Sequence, residues 1–284
     1  MSNSDSAGGL RGLIDRRAND YSLDGAGERF QQFLVWASKP MLDYYFRMEI
    51  KGWERLPEAP ALLIGVHASG LLPIEAYLTG FQWFRHFGNS RALHGTAHDV
   101  LMSLPGWGMF LRKIGTVPAT RSAITEAIDA GHDVILWPGG DVDALRPWTK
   151  RDQVILDERT GFIKLAIRSG VPIVPVASIG GSDTLFMLTE GRSLAKLLRL
   201  DKLMRAKAFP IALGFPFGIA PGVVPQIPLP AKIRTEFLAP IDVGDDPALA
   251  EDDDYVQRKY QEVVDALQEA MNLLAGHRSF PLLG

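Results

Sequence analysis

The chain has 284 residues, no cysteine, 46% hydrophobic residues and a formal charge of −3, the profile of a globular protein able to bury a large core without disulfides or a structural metal. Without cysteine there is no thiolate chemistry and no Cys-ligated zinc or iron–sulfur cluster. The slightly acidic balance argues against a dedicated nucleic-acid binder, which needs a broadly basic face.

In chain order, residues 1–22 lack the apolar run of a signal peptide, and 1–27 read as a flexible lead. Residues 28–57 read as membrane-interface helices. Phe30, Phe33, Trp36, Met41, Tyr44, Tyr45 and Phe46 crowd two helical pieces divided at Pro40, a density that suits an interfacial anchor and equally a helix packed on the core. Residues 58–284 form the main domain, where short branched apolar runs alternate with helix-length segments. The runs at 61–66 (ALLIGV), 133–138 (DVILWP), 172–178 (PIVPVAS) and 231–238 (AKIRTEFL) predict strands. Gly131 and Gly170 stand where helix C-caps belong. This β-α-β punctuation predicts an α/β fold with three αβα layers and a mostly parallel sheet, whose functional residues lie at strand C-termini.

Two further segments bear on membranes. Residues 191–209 carry Arg192, Lys196, Arg199, Lys202, Arg205 and Lys207 against the single acid Asp201, with Leu194, Leu197, Leu198 and Leu203 at helical spacings. A basic amphipathic helix of this kind suits an anionic membrane surface or a solvated face. Residues 208–231 are uncharged over 24 positions, long enough to span a bilayer, but six prolines and three glycines forbid a continuous helix. No transmembrane helix is expected, and the loop at 214–230 is expected to line an acyl-chain entrance, dip into lipid or pack into the core. The acids at 242–254 suit the start of a C-terminal helix.

The chemistry concentrates after two strands. His67 ends the run ALLIGV and precedes a Gly-containing turn, with Pro73 suited to a helix start and Glu75 just inside it. A neutral imidazole there can act as a general base near neutral pH, with Glu75 fixing its tautomer, or the pair can serve the backbone and the helix dipole. After the run DVILWP come Gly139, Gly140, Asp141, Asp143, Arg146 and Lys150. Glycines admit a ligand close to the backbone, and the basic group suits a phosphate or carboxylate. His94 and His98, four apart, lack the intervening acid of a zincin and sit around Gly95, so no metal is expected. Ser69 lacks the Gly-x-Ser-x-Gly elbow of a hydrolase.

The blocks GVHASGLLPIEAY, LPGWGMFLRKIGTVPA, ILWPGGDVDALRP and GFIKLAIRSGVPIVPVASIGG resemble, in that order, the four blocks of the glycerolipid acyltransferase family. The closer likeness is to a bacterial branch similar to diacylglycerol and monoacylglycerol acyltransferases, with Pro-Gly-Gly in the third block, over about residues 45–242. The resemblance implies transfer of a fatty acyl group from acyl-CoA or acyl carrier protein to a hydroxyl of a glycerolipid or lysophospholipid acceptor, without cofactor or metal. It implies His67 as the catalytic base, with Glu75, or an acid of the pair Asp141 and Asp143, orienting it. The amides of Gly139 and Gly140 are candidates for the oxyanion, and Arg121, Arg146, Lys150 and Lys164 for a charged headgroup or CoA phosphates. The protein is expected to sit peripherally on the cytoplasmic face of a membrane. The readings of a different class are a lipid-binding scaffold without turnover and an acyl-thioester or lipid hydrolase.

Overall fold

The computed structural model describes residues 12, 14, 16–24, 28–58, 60–68, 70, 73–191, 210–222, 224 and 226–278. The basic segment expected to form an interfacial helix lies outside the described residues at 192–209, as do Ser69 and Leu72. The strands are β1 (Glu49–Lys51), β2 (Leu62–Gly65), β3 (Leu93–Ala97), β4 (Val117–Pro118), β5 (Asp133–Leu136), β6 (Ile173–Ile179), β7 (Phe186–Thr189), β8 (Ile211–Gly214), β9 (Gly218–Pro221) and β10 (Arg234–Phe237). Seven form one sheet in the order β1-β10-β6-β2-β5-β3-β4. Every neighbouring pair is parallel except β10 and β6. β7, β8 and β9 make a separate antiparallel sheet.

The helices are α1 (Glu28–Pro40), α2 (Ile74–Phe87), α3 (Asp99–Ser103), α4 (Trp107–Lys113), α5 (Arg121–Asp129), α6 (Gly140–Ala144), α7 (Gly161–Ser169) and α8 (Asp253–Gly276). Local chemistry sets their ends. Thr120 Oγ1 accepts the Ala123 N–H at 3.3 Å to start α5, Asp252 Oδ1 accepts the Tyr255 N–H at 3.0 Å to start α8, and Gly170, at φ +61°, ends α7.

The period-2 pattern of the strands divides the core into two layers. Leu62, Ile64, Val134 and Ile173 face α5, α7 and α8 through Ile124, Ile128, Ile163, Val263 and Leu267. Ala61, Leu63, Ile135, Val174 and Val176 face the opposite way, onto Trp83 of α2 and Phe237. At the N-terminal edge of the sheet, buried Asp133 accepts the Ala61 N–H at 3.1 Å and Arg91 Nη2 at 2.9 Å, while Arg91 Nη1 donates to Pro57 O at 2.7 Å.

Two sequence expectations change. Residues 16–24, read as part of a flexible lead, pack on the domain: Ala18 is buried against Met102 and Leu111, and Arg112 donates to Arg17 O at 3.0 Å. Within 28–57, α1 and a π-helical turn at Met41–Tyr45 are followed by β1, which completes the main sheet. The sheet therefore begins before residue 58.

Candidate active site

The parallel strands β2, β5 and β6 end at one edge of the sheet, and the segments that follow β2 and β5 meet there. β2 ends in Gly65 because nothing larger fits: a Cβ would lie 2.4 Å from Trp137 Nε1. Trp137 follows β5, and its ring stacks on the His67 imidazole with centroids 5.4 Å apart and planes inclined by 15°. The His67 side chain keeps 17% of its surface exposed, while Nδ1 is buried.

Two buried carboxylates flank the turn that follows β2. Glu75, in the first turn of α2, is 2% exposed; its Oε1 accepts the Ala68 N–H at 2.8 Å and stands 3.6 Å from His67 Nδ1. Asp143 on α6 is fully buried. It accepts the main-chain N–H of His67 on one oxygen and Arg146 Nη1 on the other, through two short bonds. Arg146 is itself anchored by donating to Gln153 O at 2.9 Å. The next residue of α6, Ala144, accepts the Gly70 N–H at 3.0 Å. Successive amides of the His67 turn are thus held from two helices. Burial pushes the Asp143 carboxyl up to about 6, against the lowering influence of Arg146 and His67, and the nearby Glu75 charge acts in the same direction as burial.

The two glycines of the third block answer to packing. A Cβ on Gly139 would meet Ile155 O at 2.2 Å and Asp143 Cβ at 2.4 Å. Gly140 adopts φ +55°, and a Cβ there would meet Arg159 Nη1 at 2.5 Å. The Gly140 N–H donates to Trp137 O at 3.3 Å, so it is engaged within the turn.

The predicted basic ligands separate. Arg146 is 3% exposed and bound to Asp143, so it is an internal counter-ion and presents no charge to a headgroup. Lys164, on α7, bonds Asp253 at 2.8 Å and joins α7 to α8. Lys150 is exposed on the turn Trp148–Lys150 between β5 and α7. Arg121 is exposed at the start of α5, just past β4, on the same sheet edge but three strands from β2, or about 14 Å at the usual strand spacing. Asp141 lies in α6, with its side chain outside the described residues.

His94 and His98 do not share a helix. His94 is buried on β3, its Nδ1 2.8 Å from Gly115 O and its Nε2 3.0 Å from His132 Nδ1; burial holds its pKa below the usual range. His98 caps α3 by accepting the Val100 N–H at 3.2 Å. Among the described residues no cluster of three potential metal ligands occurs.

Large apolar side chains are exposed at Trp36 (72%) and Tyr44 (75%) on and just after α1, at Leu101, Leu104 and Met109 on and between α3 and α4, and at Phe215, Phe217 and Ile219 (71%) in the β8–β9 hairpin. The small sheet touches the turn after β2, since the Gly70 position is approached by Met187 of β7 and by Leu185 just before it. Among the described residues no helix is long and apolar enough to cross a membrane. Trp137 and the α3–α4 rim were not singled out from sequence. Trp137 reads as an ordinary strand-end aromatic, and the rim residues become conspicuous only once their exposure is known.

A family profile described as DAGAT, diacylglycerol acyltransferase, matches residues 19–276. An uncharacterized protein of Mycobacterium tuberculosis (strain ATCC 25618 / H37Rv) is 30% identical over 275 residues, covering 94% of this chain and 74% of that protein. A Bos taurus protein named as a DGAT1/2-independent enzyme synthesizing storage lipids is 31% identical over 196 residues, covering 67% of this chain and 55% of that protein. The crystal structure of the 1-acyl-sn-glycerophosphate (LPA) acyltransferase PlsC from Thermotoga maritima shares the fold, with a TM-score of 0.54 over 95% of this chain and 90% of that one at 15% identity.

Proposed function

Since this chain belongs to the diacylglycerol acyltransferase family, lipid O-acyltransferases, we propose that it moves a fatty acyl group from acyl-CoA or an acyl carrier protein to a hydroxyl of a glycerolipid acceptor, with His67 as the general base. The observation that carries this reading is the placement of His67 at the end of β2 with its buried Nδ1 3.6 Å from the carboxylate of Glu75. A proton on Nδ1, facing Glu75, leaves the Nε2 lone pair to take the proton of the acceptor hydroxyl. The oxygen then attacks the thioester carbonyl, the tetrahedral oxyanion collapses, the C–S bond breaks, and the imidazolium returns the proton to the leaving thiolate. Glu75 stabilises the imidazolium between the two proton transfers. We keep the Gly139 amide as the candidate oxyanion donor, because the Gly140 N–H is engaged by Trp137 O.

Of the four candidate phosphate ligands, Arg146 has a buried counter-ion and Lys164 a partner at the surface, which favours a neutral hydroxyl acceptor over a phosphorylated one. The name of the Bos taurus relative, a storage-lipid synthesizing enzyme, points the same way. The large apolar side chains exposed on α1, on the α3–α4 segment and in the β8–β9 hairpin fit a protein that meets its substrates at a lipid surface, with aromatic side chains at the interface.

The test is release of free thiol from a long-chain acyl-CoA, with and without acylglycerol and lysolipid acceptors, for wild type and His67→Ala. The protein contributes no thiol background, having no cysteine. Release that needs both an acceptor and His67 is expected. Release independent of acceptor would identify a thioesterase instead, and no release from either donor class would leave a lipid-binding scaffold.

A further inference from the structure

We propose that Asp143 is a positioning residue for this reaction: from α6 it fixes the main chain of His67 and supplies the negative charge that balances Arg146 beside the base. The inference rests on the proposed role of His67 but starts from a different observation, a carboxylate with no exposed surface placed against the peptide of the base.

The geometry has three parts. Asp143 takes the His67 N–H, Ala144 takes the Gly70 N–H at 3.0 Å, and Glu75 takes the Ala68 N–H at 2.8 Å, so the turn carrying the imidazole cannot shift without breaking bonds to α6 or α2. Gly139 exists to admit this arrangement, because any side chain there would occupy the space of Asp143 Cβ and Ile155 O. Arg146, bound to the second Asp143 oxygen and to Gln153 O, stops the carboxylate from turning away.

The charges make a second argument. The ionisable groups facing Asp143 are Arg146, His67 and Glu75. With both acids and Arg146 ionised and His67 neutral, the group carries one net negative charge; uptake of the acceptor proton by His67 brings it to neutrality. Removing the Asp143 charge alone would make the same step end on a net positive charge in a buried setting, which opposes proton uptake. The upward push on the Asp143 carboxyl to about 6 is what burial among these neighbours should produce, and it leaves the group mostly ionised at neutral pH.

The experiment compares pH profiles of kcat/KM for acceptor-dependent thiol release in wild type, Asp143→Asn and the double variant Asp143→Asn/Arg146→Met. Asparagine retains an acceptor for the His67 N–H but loses the charge. Asp143→Asn is expected to lower the rate at neutral pH by about 10-fold to 100-fold and to move the acidic limb to lower pH, because Arg146 is left unbalanced beside the base. The double variant removes that imbalance and is expected to bring the limb back toward its wild-type position. A limb unmoved in Asp143→Asn, or moved equally in both variants, would mean that Asp143 only supports the fold.

A second measurement needs no turnover and is read in wild type. In wild type labelled with 15N-histidine, whose six histidines give few signals, the His67 amide, assigned by its loss in His67→Gln, should titrate with the Asp143 carboxyl near pH 6. An amide indifferent to pH from 4 to 8 would overturn the clamp. A wild type that shows the titration but no transfer would overturn the proposed function and leave the clamp standing.

Discussion

Gly65→Ala adds one methyl group at the end of β2 and should disable the site without removing any polar group. The new Cβ would stand 2.4 Å from Trp137 Nε1, 2.8 Å from its Cδ1 and 3.1 Å from its Cε2, roughly 1 Å short of a normal contact at the closest point. β2 lies between β5 and β6 and is paired on both sides, so the indole must give way. Overpacking of this kind costs about 1–3 kcal/mol, read as a shift in the urea midpoint. Because that indole stacks on His67, the imidazole shifts with it, and a misplacement near 1 Å lowers kcat/KM by about 100-fold. Trp137→Leu in the Gly65→Ala background relieves the clash, so the double variant should be more stable than Gly65→Ala alone, with a coupling of about 1 kcal/mol or more. Additive stabilities, or a Gly65→Ala enzyme with wild-type kcat/KM, would refute the reasoning that this ring sets the position of the base.

Glu75→Gln keeps an oxygen for the Ala68 N–H but removes the charge 3.6 Å from His67 Nδ1. It should cut kcat by about 100-fold with a small change in melting temperature, and equal loss of fold and rate would argue against a role in tautomer control. Asp133→Ala leaves Arg91 without its counter-ion at the opposite edge of the sheet, costing about 3–5 kcal/mol in urea unfolding while kcat stays near wild type; a large fall in kcat for the folded fraction would contradict the separation of the two edges. The folded state binds the Asp143 proton more tightly than the unfolded chain does, since its pKa is raised from 3.8 to about 6. The stability it contributes is therefore full below pH 3.8 and is lost as pH rises through 6, about 3 kcal/mol in all. The stability difference between wild type and Asp143→Asn, followed from pH 4 to pH 7, should drift against wild type, and a flat difference defeats the assignment. Trp36→Glu combined with Ile219→Glu, both at strongly exposed positions, should reduce co-sedimentation with anionic vesicles, and undiminished binding would move the lipid contact elsewhere.

The strands legible in the sequence were β2, β5 and β6, each built on a run of apolar positions, and β10, where Ile233, Thr235 and Phe237 alternate with the charged Lys232, Arg234 and Glu236. The remaining strands were hidden for separate physical reasons. β4 is only Val117–Pro118, and β3, LHGTA, has apolar residues only at its two ends and offers no run or alternation that announces a strand. β8 and β9 lie in a proline-rich run and pair with each other and with β7 rather than with the main sheet, a choice set by long-range contacts that no local pattern encodes. Within the site, His67 and Glu75 were readable as a strand end and a helix first turn. The inward acid of the third block was not: Asp141 and Asp143 are two positions apart, and on a helix such neighbours point to different sides. Arg146 and Lys164 looked like ligands because a sequence shows charges but not the buried Asp143 or the distant Asp253 that bind them.

The relation between His67 and its acid shows why spacing alone was a poor guide. The resemblance to the glycerolipid acyltransferase blocks implies an acid five residues after the histidine, where this chain has Leu72. Here Pro73 precedes α2 and the helix begins at Ile74, so the first turn carries Glu75 back under the strand end, where one oxygen reaches both the Ala68 N–H and the vicinity of Nδ1. The acid is displaced along the chain and yet faces the same ring. The main chain at His67 itself is held by Asp143 from the third block, and Gly139 before it makes the room. In this chain the helix start sets the position of Glu75, and the turn at Gly139 lets a second carboxylate, Asp143, reach the His67 peptide. On this view, restoring an acid at position 72 in a Glu75→Gln background should fail to recover activity, because the helix and clamp that aim the acid are built for residue 75; recovery would show that proximity in sequence was sufficient after all.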